Sequence, residues 1–137
     1  MAHVKAVGES SNEGAGYEKE VVSQTNNKWW NTKKGEGFPQ WITFDLEGPI
    51  KAINFRNLDG CSTAPKDVVF YNSESQDGPW EEISRQSRPN RPGSAWWKAP
   101  LNSDKKFLKA EFLNNSNQTS NKEWSSYTYL YEVTVDR

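Results

Sequence analysis

At 137 residues the chain fits the usual size of one domain, and with only 34% apolar residues its interior must draw on the 13% that are aromatic, seven of them Trp. The 17 basic and 18 acidic residues leave a net charge of -1, which excludes a strong sequence-independent pull toward phosphate backbones or anionic membranes. One His and one Cys cannot build a nucleophilic triad or a zinc centre, and the lone Cys61 forbids an internal disulfide.

In chain order, Met1 to Gly8 lacks the apolar run of a signal peptide, and no later stretch approaches the roughly 20 apolar residues of a membrane span. With no disulfide pair, this points to a cytoplasmic or otherwise intracellular protein, or to a secreted one whose signal has been removed. Val4 to Val7 is expected as an edge strand, and Tyr17 to Val22 as a helical turn or short strand. Trp41 to Leu46 alternates, with Ile42, Phe44 and Leu46 on one face, before Gly48-Pro49 ends the strand. Ala52 to Asn57 repeats the pattern with Ile53 and Phe55. Asp67 to Asn72 is apolar on both faces and is expected as a covered, central strand. The turn Gln76-Asp77-Gly78-Pro79 leads into a short return strand, Trp80 to Ile83, and Arg85 to Ser94 should be an exposed, stiff loop. Strands follow at Ala95 to Trp97, at Phe107 to Leu113, and at Tyr127 to Val135 with Tyr131, Val133 and Val135 sharing a face. Between the last two, Asn114 to Ser126 is polar and holds two glycosylation-type triplets that would matter only outside the cell. Seven or eight short strands without a long amphipathic helix give an all-β fold, an antiparallel β-sandwich or jelly roll, as a single domain over 1–137.

The order of these landmarks resembles the discoidin-like domain, the coagulation factor V/VIII type C domain of the galactose-binding-like jelly rolls. Its carriers are Trp29-Trp30, the run Gln40-Trp41-Ile42-Thr43-Phe44-Asp45-Leu46, the segment Ser73 to Trp80 with Asp77-Gly78-Pro79, Lys106 to Phe112, and Leu130 to Val135. The resemblance implies a non-catalytic recognition module. Many members have a cysteine pair and an Asp-containing calcium loop; here Gln24-Thr25-Asn26-Asn27-Lys28-Trp29-Trp30 offers no Asp and carries a Lys. No cofactor is therefore called for, although calcium stays open through Glu132, which matches an acidic position that assists the metal in relatives. The Lys28-Trp29-Trp30 and Lys33 to Gly37 region is also similar to intracellular members of the class, a DNA-strand-break repair scaffold and Doc-type ubiquitin-ligase subunits.

Enzyme chemistry finds no footing. Glu81, Glu82, Glu111, Glu132 and Asp45 are available carboxylates, but no spacing singles out a catalytic pair, and Gly35-Glu36-Gly37 lacks the context of a P-loop. Binding has better candidates, because aromatic rings stack on sugars or bases while Arg and Asn hydrogen-bond to hydroxyls. Trp29, Trp30, Trp96, Trp97 and Trp124 lie beside turns; alternation within a Trp-Trp pair sends one ring inward and the other out, and Trp41 and Trp80 are expected to be structural. Arg85, Arg88, Asn90 and Arg91 complete the expected site as a polar rim. The leading expectation is lectin-like carbohydrate binding through loops at one end of the sandwich. The alternative is an intracellular domain that docks a protein partner of a larger assembly; nucleic-acid binding through Lys28, Lys33, Lys34 and the Arg-rich loop is less favoured.

Overall fold

The alternating runs pair as two antiparallel sheets. The computed structural model describes residues 2–11, 30–33, 36–57, 64–89, 96–115 and 128–137. Its strands are β1 (Ala2–His3), β2 (Lys5–Glu9), β3 (Trp30–Asn31), β4 (Gln40–Asp45), β5 (Ile50–Arg56), β6 (Asp67–Ser73), β7 (Glu81–Ser87), β8 (Trp96–Ser103), β9 (Phe107–Phe112), β10 (Tyr129–Leu130) and β11 (Glu132–Asp136). A four-stranded sheet runs β1-β11-β5-β8, a five-stranded sheet runs β2-β4-β9-β6-β7, and β10 pairs with β3 in a short ribbon. Among the described residues there is no helix, in keeping with the all-β expectation. The tip of the chain that was expected as one edge strand instead borders both sheets: β1 lies on one edge, the buried Val4 crosses the interior, and β2 lies on the other.

Period-two patterning decides what each strand buries. On the five-stranded sheet Ile42, Phe44, Val68, Phe70, Leu108, Ala110 and Phe112 face inward, opposed by Ile53, Phe55, Trp97, Ala99, Leu101, Val133 and Val135 of the other sheet. Aromatic rings meet where the sheets touch. Phe55 lies 6.2 Å from Phe70, 5.9 Å from Trp97 and 6.0 Å from Phe112, and Trp30 lies 5.8 Å from Phe112. Offset and edge-on ring pairs of this kind add about 0.5–1.5 kcal/mol each beyond the area they bury. This is how a chain lean in aliphatic residues fills its core. Asp67 to Asn72 is an interior strand, as expected, flanked by β9 and β7, with Val69 buried even on the outer face.

Three expectations need correction. The return strand after the turn does not stop at Ile83 but runs through Ser87, so Arg85 sits in β7 rather than in a loop. An edge strand pairs on one side only and can carry polar residues, and β7 is largely solvent-facing, which hid it from a hydrophobicity reading. Next, β8 extends from Trp96 to Ser103 in strict outward-inward alternation; Pro100, which would break an inner strand, is exposed on a sheet edge. Finally, the last strand is interrupted at Tyr131, whose backbone N–H donates to the Arg56 carbonyl at 2.8 Å, so Tyr131 does not share the buried face of Val133 and Val135. Tyr17 to Val22 and Cys61 lie outside the described residues.

Candidate functional site

Strand register fixes which residues meet at one end of the sandwich. Ser10, Gln40, Phe112, Asp67 and Ser87 lie at the same end of the five-stranded sheet, and Arg56, Trp96 and Glu132 form the matching terminal row of the four-stranded sheet. The chain therefore leaves or re-enters the described structure at this end at Ser11, Trp30, Asn57, Ala64, Pro89, Trp96, Asn115 and Thr128. The opposite end is closed by short connections, 46–49, 74–80 and 104–106.

On the outer surface of that terminal row a guanidinium is held between two rings. The Arg56 guanidinium carbon lies 5.9 Å from the Trp96 ring centre and 5.1 Å from that of Tyr131, and its Nη1 donates to Glu132 Oε1 at 3.1 Å. These residues come together because β5 pairs with β8 and β11 in one register, Arg56 opposite Trp96 and Glu132. At 37% exposure, Trp96 is one of two large apolar side chains exposed among the described residues. A ring in this position, stiffened by a cation on an adjacent strand, is a platform on which the apolar face of a sugar can stack.

Behind the platform, Arg88 is packed rather than waving in solvent. It is 8% exposed, and its Nη1 donates to Asn57 Oδ1, while Asn57 Nδ2 donates to the Tyr129 carbonyl at 2.6 Å. Its backbone exchanges bonds with Lys66, N–H to the Lys66 carbonyl at 2.8 Å and Lys66 Nζ to the Arg88 carbonyl at 2.7 Å. A guanidinium oriented in this way loses little rotamer freedom when it donates to a ligand. Nearby Asp67 ties three segments together: it accepts from Ser87 and, at 2.7 Å, from Asn114 Nδ2, and its backbone N–H donates back to Asn114 Oδ1 at 2.9 Å. The hydrogen bonds from Ser87 and Asn114 hold its carboxyl below the ordinary range.

The expected site residues separate under this geometry. Trp96 and Arg88 stand at the loop end. Trp97 is the inward member of its pair, 7% exposed and packed on Phe55, so it has no face to offer a ligand. Trp30 is fully buried; its Nε1 donates to Glu9 Oε2 at 2.6 Å and to the Ser11 carbonyl at 3.2 Å, leaving it a core residue with its polar tip satisfied. Arg85 belongs to the outer face of the five-stranded sheet, bound by Glu82 through two bonds of 3.0 and 2.8 Å. Trp29, Asn90, Arg91 and Trp124 lie outside the described residues, as do Lys28 and Lys34 of the nucleic-acid reading; Lys33 is solvent-facing beside Glu36 at 3.9 Å. Sequence reasoning missed Arg56 and Tyr131. Its only available signal was that Arg56 adjoins the inward Phe55 and must face outward.

For a metal the described part of the chain is a poor fit. Among the described residues no three His, Cys, Asp or Glu side chains converge, and the Glu132 carboxylate has a guanidinium against it. Gln24 to Trp29 of the calcium-loop comparison lies outside the described residues.

No family model and no curated protein matches the sequence. Solved structures do. A family 32 carbohydrate-binding module from a family 31 glycoside hydrolase of Clostridium perfringens superposes with a TM-score of 0.78 at 14% identity, covering 98% of this chain and 90% of that one. Another from the same organism, solved with GalNAc-β-1,3-galactose, gives 0.75 at 18% identity over 98% and 95%. A chitosan-binding module from Paenibacillus sp. IK-5, solved with chitotriose, gives 0.69 at 18% identity over 99% and 98%. The chain thus has the antiparallel β-sandwich fold of these family 32 carbohydrate-binding modules, the fold that the resemblance implied.

Proposed function

We propose that this chain is a non-catalytic recognition domain that binds carbohydrate at the loop end of the sandwich, with Trp96 as the stacking ring. The observation that carries this reading is the Arg56 guanidinium seated between Trp96 and Tyr131, at the end where the chain repeatedly leaves and re-enters the described residues. Arg88, buried and bonded to Asn57, braces the chain behind the Trp96 ring. Modules of the same fold solved with galactose, with GalNAc-β-1,3-galactose and with chitotriose support the ligand class. One His and one Cys leave little with which to build a catalytic centre.

A glycan array followed by calorimetry on the best hit tests it. Trp96→Ala should weaken binding by about tenfold or more, the cost of losing one stacked ring, while the melting profile stays close to that of the parent. Glycan silence together with a stable partner recovered by pull-down would instead favour the docking domain, and binding to any nucleic acid that falls steeply with salt would favour that third reading.

A further inference from the structure

The five-stranded sheet carries on its outer face a second group of rings about a cation, built from residues that the loop-end site does not use. Lys109 Nζ lies 5.3 Å from the Trp41 ring centre, 5.4 Å from Tyr71 and 5.8 Å from Trp80. Cross-strand register brings it there, since Lys109 is opposite Thr43 on one side and Tyr71 on the other. The third ring comes from the turn. Gly78, at φ 90°, lets Trp80 fold back so closely that a Cβ at position 78 would meet its ring at 3.0 Å, and Gln76 Nε2 pins the turn to the Val7 carbonyl at 3.1 Å.

These groups border an open concavity of about 230 Å³, lined by Trp41, Thr43, Gln76, Asp77, Trp80 and Lys109. Gly8 also lines it and packs closely on the paired strand, since a Cβ there would stand 2.6 Å from Thr43 Oγ1. Trp41 and Trp80 are both half-buried, so each keeps part of a ring surface toward solvent. The charge balance is what distinguishes the place. Arg56 at the loop end has Glu132 within 3.1 Å, and Arg85 has Glu82 within 2.8 Å. Among the described residues Lys109 has no such carboxylate within ion-pair distance; what surrounds its ammonium is aromatic rings. Glu111, two residues away on the same face, accepts instead from the Tyr71 hydroxyl at 3.1 Å.

We infer that this face is a second sugar subsite, for a ring bearing a carboxylate: Trp41 and Trp80 flank the ring, Lys109 pairs with its acid group, and Gln76 and Asp77 meet its hydroxyls. It rests on the reading that the chain binds carbohydrate. An ammonium already desolvated on the ring side gains more from an anion than one fully in water, and Asp77, exposed on the turn, stands ready as a hydroxyl acceptor.

The test is an amide chemical-shift titration of the whole chain with sodium glucuronate, with glucose as the neutral counterpart and with the best hit of the glycan array as a loop-end reporter. Glucuronate should shift Gly8, Thr43, Gln76 and Asp77, more weakly at high salt; glucose should leave them nearly still. Lys109→Met, which keeps the stem and removes the charge, should weaken glucuronate by about tenfold or more, the scale of a lost charge-assisted contact, and leave the array hit unaffected. Trp80→Ala should act likewise. If the array hit still binds at Trp96 while glucuronate spares the face, or glucose moves it equally, or Lys109→Met changes nothing, the face subsite falls and the loop-end reading stands. If no sugar shifts any amide, both fall.

Discussion

The two outer faces of the sandwich use the same ingredients and reach different electrostatic ends. On the four-stranded sheet a guanidinium sits between Trp96 and Tyr131 with Glu132 against it; on the five-stranded sheet an ammonium sits among Trp41, Tyr71 and Trp80 with no carboxylate in ion-pair reach among the described residues. The first cluster is internally neutralised, so its value to a ligand lies in ring surface. In the second the ammonium has no carboxylate within ion-pair distance among the described residues, so its value lies in attraction. Cation–π pairing alone does not make a binding site; the carboxylate beside it, or its absence, decides what the site asks of a ligand.

The largest predicted effect tests whether the two faces share one support. Phe55 lies in the interior behind both, in contact with Phe70, Phe112 and Trp97. Phe55→Ala should cost about 3–5 kcal/mol in urea unfolding and weaken both sites together. Trp97→Ala should cost a similar amount, whereas its neighbour Trp96→Ala, removing a 37% exposed ring, should cost about 1 kcal/mol or less while abolishing stacking. Equal losses of stability from the two Trp substitutions would break the inside-outside assignment of the pair.

Next in size is the neutralised cluster itself. Glu132→Gln removes the charge that balances Arg56, a pair whose guanidinium side chain is 38% exposed, so solvent screening keeps the expected cost to about 1 kcal/mol or less. The sharper consequence is in binding: with Arg56 no longer balanced, the loop end should take on the preference for acidic sugars inferred for the opposite face. A neutral-to-acidic selectivity unchanged by Glu132→Gln, measured by calorimetry on matched glucose and glucuronate glycans, would mean that charge balance is not what separates the two faces.

Much of this division was legible in the sequence, and the exceptions have physical causes. Alternation alone turned Ile42 and Phe44 inward and hence Trp41 and Thr43 outward, and one ring of Trp96-Trp97 had to be exposed. Yet the same alternation was not followed to its consequence for Trp41, expected as structural and found half-buried beside the Lys109 concavity. Arg85 was misplaced because a polar edge strand looks like a loop when only hydrophobicity is read. Arg56, Tyr131 and Lys109 were invisible for a different reason. Their meaning comes from register across strands far apart in sequence, Arg56 with Glu132 and Lys109 with Thr43 and Tyr71, and pairing partners cannot be read from a single strand.

The smallest expected effect concerns acid, and it separates the two ends of the sandwich rather than its faces. Asp67 at the loop end is lowered by hydrogen bonds from Ser87 and Asn114, and Asp136 at the far end by Lys98 and Asn54. A carboxyl whose folded pKa lies below its unfolded value contributes stability that is complete above the unfolded value, near 4, and is lost as pH falls through the folded one. Neither group should therefore matter to pH dependence at neutrality, and both should weaken the fold below about pH 4. Their consequences differ. Protonating Asp67 releases Ser87 and Asn114, which hold the ends of β7 and β9 under the loop-end site, whereas protonating Asp136 releases an exposed Lys98 and the side chain of Asn54. Acid should thus reduce affinity at the loop end before it unfolds the chain, and Asp67→Asn should shift that loss to neutral pH while Asp136→Asn leaves affinity unchanged. Calorimetry between pH 3 and 7 on both variants checks this, and equal sensitivity of the two would show that Asp67 braces the fold as a whole rather than the site above it.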